Sequence, residues 1–330
     1  MKRLQTILAV LTLTVLGCTP GTPKTQSSDA FITVWTTNMP GSGVNTKQIT
    51  LPLLSSGEYD FVVTWGDGTK NHVTSYYGRE HTYKKEGTYT VNIVGKLIGW
   101  SFGLGSMKTK HQEASKLVHI VQWGSMLLGA TKFQFMGCKY LTILAKDAPD
   151  LSRTVSLLSA FAGATAFNGD LSHWDVSKVE NMSYMFARTM VFNGDISTWN
   201  TSNVKDMPWM FYKATSFNQN ISSWDVSKVK DMSGMFSKAT AFNQNISTWT
   251  TSNVRNMAIM FREATTFNQN ISSWDVSKVE DMTSMFLSAK SFNQNLSQWD
   301  TCSVKNMSDM FAEATAMEEV NKPVPKCTDN

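Results

Sequence analysis

Apolar and polar positions change rhythm along this chain. From 30 to about 96 they alternate with period two. Phe61, Val63 and Trp65 share one side of a segment, and Tyr89, Val91 and Ile93 share one side of another, the pattern of half-buried strands. Asp67-Gly68 directly after Trp65 predicts a hairpin turn, because such turns need positive φ. Lys85-Glu86-Gly87 predicts a second turn. Short strands at this spacing predict a β-sandwich over 30–96.

Further along, the rhythm becomes a strict repeat. Phe167, Phe192, Phe217, Phe242, Phe267 and Phe292 recur every 25 residues, as do the series beginning at Trp174, Met182 and Phe186. These six units in register, over 161–317, have a period typical of leucine-rich-type repeats. Within one unit, Phe217 to Ile221 reads as strand-like, whereas Val229, Met232, Met235 and Phe236 fall at helical spacing. Ser177…Glu180 and Ser277…Glu280 fit helix capping boxes. The expected fold class is therefore mixed: a β-sandwich followed by a β–α solenoid of 25-residue units with its Phe, Ile/Leu, Trp, Val and Met rows stacked inside. One such unit cannot bury its apolar side alone, so stacking must hold it. Asn168, Asn193, Asn218, Asn243, Asn268 and Asn293 are expected to form a ladder that satisfies backbone groups. Residues 97–160 read as a linker plus a degenerate N-terminal capping repeat, and 318–330 as a C-terminal cap or tail.

The N-terminus reads as an address. Lys2 and Arg3 precede an apolar stretch from Leu4 to Leu16, too short to span a bilayer and suited to a signal peptide. Its end, Val15-Leu16-Gly17-Cys18, resembles the lipobox of bacterial lipoproteins. That resemblance implies cleavage before Cys18 and acylation of Cys18, with 1–18 as the signal and 19–29 as a flexible tether. The expected location is the bacterial cell surface, anchored by lipid.

Two further resemblances carry the functional expectation. WGDGT (65–69) and HTYKKEGTYTVNIVG (81–95) resemble a PKD-type, immunoglobulin-like module. The pattern W-D-V-S-x-V-x-x-M-x-x-M-F, with F-x-G-C-x-x-L before it, resembles the BspA-like leucine-rich repeats of bacterial surface lipoproteins over about 120–317. This resemblance implies a non-enzymatic protein that adheres to an extracellular protein or matrix ligand. The alternative is a glycan-binding module using exposed aromatics, and the Trp row is open to both a core and a platform reading.

Composition adds mostly exclusions. A net charge of +4 leaves no strongly basic body for nucleic acid. Four cysteines without a C-x-x-C pair leave no zinc ribbon or redox motif, and no cofactor or metal set is predicted. Gly99-Trp100-Ser101-Phe102-Gly103 matches a nucleophile elbow, but that motif needs a strand–turn–helix within an α/β sheet. A linker role for Ser101 is expected instead. Asp67 is expected to serve its turn rather than bind calcium. Cys302 and Cys327 lie one period apart, and a partial seventh rung would stack them within disulfide reach; an exported chain would keep that bond. Cys138 is expected to stay reduced. Variation among units at Glu180, Lys205, Lys230, Arg255, Glu280 and Lys305 reads as the solvated outer face of the helices, and the repeats assign no ligand-binding residue.

Overall fold

The computed structural model describes residues 28–41, 43, 45–103 and 112–324. Eight strands run in chain order: β1 Phe31–Thr36, β2 Gln48–Thr50, β3 Leu53–Thr64, β4 Lys70–Val73, β5 Glu80–Thr82, β6 Thr88–Trp100, β7 Leu117–Gln122 and β8 Thr142–Ile143. Period-two patterning builds the longest pair, with Phe61 and Val63 of β3 and Val91 and Ile93 of β6 all buried. The turn at Asp67-Gly68 forms between β3 and β4, closed by the Trp65 N–H donating to the Thr69 carbonyl at 3.1 Å. Gly66 and Gly68 have φ of 85° and 90° there, which glycine adopts without a Cβ clash.

The expected sandwich does not form. Six strands join one mixed sheet in the order β4-β3-β6-β1-β7-β8, and β2 and β5 make a separate two-stranded ribbon. The reason lies in β6, which is long enough to pair with β3 along one edge and β1 along the other. Strands that a sandwich would divide between two layers are thereby held in one. Ile49, Leu51 and Tyr83, in or beside the short ribbon, are buried in the same core as Trp35, Trp65 and Trp100. β7 then adds to β1, and β8 adds to β7 as a parallel neighbour, carrying the sheet up to the repeats.

The β–α solenoid is also overturned. Among the described residues the repeats contain no α-helix, and their only pairing of strand type is a single parallel bridge per unit, such as Asn181↔Asp206 and Asp206↔Asp231. A train of tight turns stands where the helix was expected. In 182–189, the N–H groups of Met185, Ala187 and Thr189 donate back three residues to Met182, Tyr184 and Phe186. The alternate N–H groups of Met182, Tyr184, Phe186 and Arg188 donate instead to Asp206, Pro208, Met210 and Tyr212 of the next unit, at 2.9, 3.0, 2.9 and 2.6 Å. An α-helix would direct all of them to i−4 within the segment.

Left-handed residues cause the difference. Tyr184 and Arg188 have φ of 55° and 63°, and the same two places recur at Trp209 and Lys213, Ile259 and Glu263, Ser284 and Ser288, and Asp309 and Glu313. A left-handed residue at every fourth position cannot continue a right-handed helix, and it turns alternate amides toward the neighbouring rung. The capping boxes lapse with the helices: the Ser177 N–H donates to Asp175 Oδ1 at 3.0 Å, closing a turn. Pro208 supplies the carbonyl that the ladder between rungs needs and forgoes only the local turn bond that Ser233 makes to Asp231 Oδ1 at the same place.

Apolar spacing read as helical still buries the same side chains. Phe211 stacks on Phe217 at 3.9 Å within a rung and on Phe236 at 5.6 Å in the next. Trp174, Trp199, Trp224, Trp249, Trp274 and Trp299 are each 2–4% exposed, and the Trp224 indole N–H donates to the Ile196 carbonyl of the preceding unit at 3.1 Å. The Trp row is core. The asparagine ladder forms as expected, though at the surface: Asn193 Oδ1 accepts the Asn218 N–H at 2.8 Å, and the pattern repeats from rung to rung. Trp123 joins the two regions, at 5.7 Å from Phe135 and 5.6 Å from Trp174.

Candidate binding surface

Most of the outer surface of the rungs is occupied with itself. Asp175, Asn200, Asp225 and Asp275 each accept the N–H two residues on. Hydrogen bonds from Ser227, first from its side chain and then from its backbone, hold the Asp225 carboxyl below the usual range. All but Lys230 of the positions expected to vary on a helix face form ion pairs, with Lys205 on Glu180 at 2.8 Å and Lys305 on Glu280 at 2.6 Å.

The first left-handed place of each turn train is different. Reading along the stack, it carries Tyr184, Trp209, Gly234, Ile259, Ser284 and Asp309. Tyr184 is 39% exposed. Its ring lies parallel to the Trp209 indole, 8° between planes and 6.1 Å between centroids. Trp209 meets Tyr212 edge-on at 5.2 Å. The indole also lies across Gly234, where an added Cβ would come within 2.5–2.7 Å of three ring atoms. Glycine at that one rung makes room for the indole.

The second left-handed place carries charge: Arg188, Lys213, Lys238, Glu263, Ser288 and Glu313. Lys238 pairs with Glu263 at 3.0 Å. Among the described residues, Arg188 and Lys213 have no carboxylate partner; they lie 5.9 and 5.4 Å from the centroid of the Tyr212 ring. The Tyr184 phenol is pushed up by burial and, secondarily, by the Asp231 carboxylate. Met190 and Val191, both 46% exposed, extend the apolar character of the first regular rung. Single exposed apolar groups are ordinary, whereas contiguous ones mark interaction sites.

The residues singled out from sequence lie elsewhere. Cys18 and Cys327 fall outside the described residues, so the lipid site and the Cys302–Cys327 pairing do too; Cys302 itself is exposed, its N–H on Asp300 Oδ1 at 3.1 Å. Cys138 is buried, and burial pushes its thiol well up. Ser101 is 1% exposed and donates to the Lys132 carbonyl at 2.7 Å, the geometry of a structural hydroxyl. Asp67 accepts from the Thr69 N–H at 3.0 Å and holds His81 at 2.9 Å, with the His81 ring stacked on Trp65. Burial works to raise the Asp67 carboxyl, but the bonds from Thr69 and His81 outweigh it and bring it to about 2. No group of three or more His, Cys, Asp or Glu among the described residues is placed to hold a metal ion, and no helix there is long and apolar enough to cross a membrane. Sequence reasoning passed over Tyr184, Trp209 and Tyr212. Their signal was available as a break in the repeat: Tyr184 and Trp209 stand where later units carry Gly, Ile, Ser and Asp, and Tyr212 where they carry Ser, Arg, Leu and Ala.

Comparison with known proteins corrects the resemblances drawn above. No curated protein and no solved structure matches the chain. Residues 131–249 and 219–323 match one family, and neither BspA-like leucine-rich repeats nor a PKD module is found. The physical reason agrees with the fold: the shared Trp, Val and Met spacing is met here by turn trains, and the WGDGT turn by a single mixed sheet. With the two matches together covering more than half of its length, the chain belongs to the family described as Mycoplasma protein of unknown function, DUF285.

Proposed function

We propose that the protein is a non-enzymatic binding protein, displayed at a cell surface through lipid on Cys18, that holds an extracellular partner against the rungs carrying Tyr184, Trp209 and Tyr212. One observation supports this reading most. On a surface where the Asp and Asn side chains close their own turns and several Lys–Glu pairs join rungs, these three rings pack together beside Arg188 and Lys213, two cations with no carboxylate partner among the described residues. Aromatic and Arg side chains dominate binding energy at interfaces. The sheet region then serves as the base of the stack, and the buried core of the rungs keeps the patch rigid.

The test is a binding screen of the intact protein against matrix proteins and glycans, run beside the double variant Tyr184→Ser/Trp209→Ala. A partner that binds the native protein and loses affinity for the variant supports the reading. A panel in which nothing binds, or in which every partner ignores the variant, overturns it. Mass spectrometry of the mature chain checks the anchor separately: a modified N-terminal Cys18 is expected, and a chain starting elsewhere without lipid removes that part.

A further inference from the structure

We propose that the partner held at this patch is an acidic glycan, a polymer of sugar rings bearing carboxylates; this rests on the binding role given above. Two features of the patch point to that chemistry. The first is the ring geometry. Tyr184 and Trp209 lie nearly parallel, one per rung, with centroids 6.1 Å apart. An aromatic face carries negative quadrupole charge, and the C–H-rich face of a pyranose presents weakly positive hydrogens to it. Two rings on successive rungs suit a ligand with rings of its own in succession.

The second feature is charge. Arg188 and Lys213 sit beside the Tyr212 ring and have no carboxylate among the described residues, unlike Lys205, Lys238 and Lys305. A guanidinium and an ammonium held against a ring are ready to take a carboxylate from outside the chain. Further along the same columns the sign reverses, with Glu263, Asp309 and Glu313. An anionic polymer is therefore confined to the rungs nearest the sheet.

Parallel aromatic rings also suit the rigid rings of a glycan better than a flexible acidic peptide, whose side chains lose more entropy on binding.

The experiment uses the intact protein with hyaluronate and polysialate as acidic glycans. Chitin oligosaccharides serve as neutral rings, polyglutamate as charge without rings, and oligo-dT as a nucleic acid. Binding to at least one acidic glycan is expected, weakening as salt rises. It should fall roughly tenfold or more in Trp209→Ala and again in Arg188→Gln/Lys213→Gln. The second variant leaves every ring in place, and unchanged melting of both shows that loss of binding is not loss of fold. Equal binding of chitin overturns the acidic assignment, and preference for polyglutamate or oligo-dT overturns the sugar. Failure of both acidic glycans overturns this inference while a Trp209-dependent protein partner leaves the binding role standing; absence of any Trp209-dependent partner overturns both.

Discussion

The sheet region and the rung region of this molecule satisfy their backbones in opposite ways. In the sheet, β3 and β6 exchange bonds along runs of extended residues, and β-branched and aromatic side chains alternate between core and solvent. In the rungs, each turn train sends alternate N–H groups inward to its own turns and outward to the next copy. Both regions share one continuous core. Regular secondary structure is thus not required for complete pairing of buried amides. A repeating neighbour serves as well, provided that every copy keeps the same register.

The largest expected effect breaks that register from inside. Trp224→Ala removes a buried indole and its bond to Ile196, and should destabilise the rungs by roughly 3–5 kcal/mol. Denaturant unfolding followed at the remaining tryptophans measures it, and an unchanged midpoint would contradict the stacked core. The matching lesion in the sheet region is Lys116→Met. Lys116 is fully buried and donates to the carbonyls of Asn45 and Gln48 and to Glu113 at 3.1, 2.9 and 2.6 Å. Its loss leaves the half-buried Glu113 carboxylate with only the Thr50 N–H, at 3.0 Å, as partner, at a cost of about 3 kcal/mol. Thermal melting should show it, with proteolysis accelerated around 45–50.

A smaller substitution should give opposite signs in the two regions. Ile259 holds φ at 63°, a conformation that is costly for a β-branched residue. Ile259→Gly should raise stability by about 0.5–1 kcal/mol, whereas Val63→Gly in β3 should lower it. Two melting curves decide this, and destabilisation by Ile259→Gly would show that its side chain contributes more than its backbone costs.

The smallest effect is electrostatic. The Asp225 carboxyl is depressed by its bonds from Ser227, so its contribution is complete above the ordinary Asp range and is lost as pH falls through the lower, folded value. Asn200 makes the same backbone bond without charge. Asp225→Asn should therefore change stability by less than about 0.5 kcal/mol at pH 7 and remove part of the loss seen below pH 4. Melting temperatures across pH 2–7 test this; a large loss at neutral pH would mean that the charge itself is needed.

These contrasts also show what could be read in advance. The Phe, Trp and Met rows were legible because burial at a fixed period leaves a direct trace in sequence, and the Asp67-Gly68 hairpin was legible because its turn demands glycine. The helices were misread because Val229, Met232, Met235 and Phe236 have the same spacing on a helix and on a train of turns. Glycine usually betrays left-handed backbone, but here Tyr184, Arg188, Trp209 and Lys213 occupy those places, and among the described rungs only Gly137, Gly163 and Gly234 mark them. The candidate patch was overlooked because variation was sought at Glu180, Lys205 and their counterparts, which pair with one another.

The forward bonds of each turn train have a consequence for heredity. Met182, Tyr184, Phe186 and Arg188 donate to carbonyls that Met207, Trp209, Phe211 and Lys213 find again one copy later. Recombination between two aligned copies of the coding repeat therefore adds or removes whole rungs, and each new joint meets donors and acceptors already in place. The rings at Tyr184, Trp209 and Tyr212 stand near the sheet end. Exchange among the plainer copies beyond them lets lineages lengthen or shorten the stack while the aromatic patch is inherited intact.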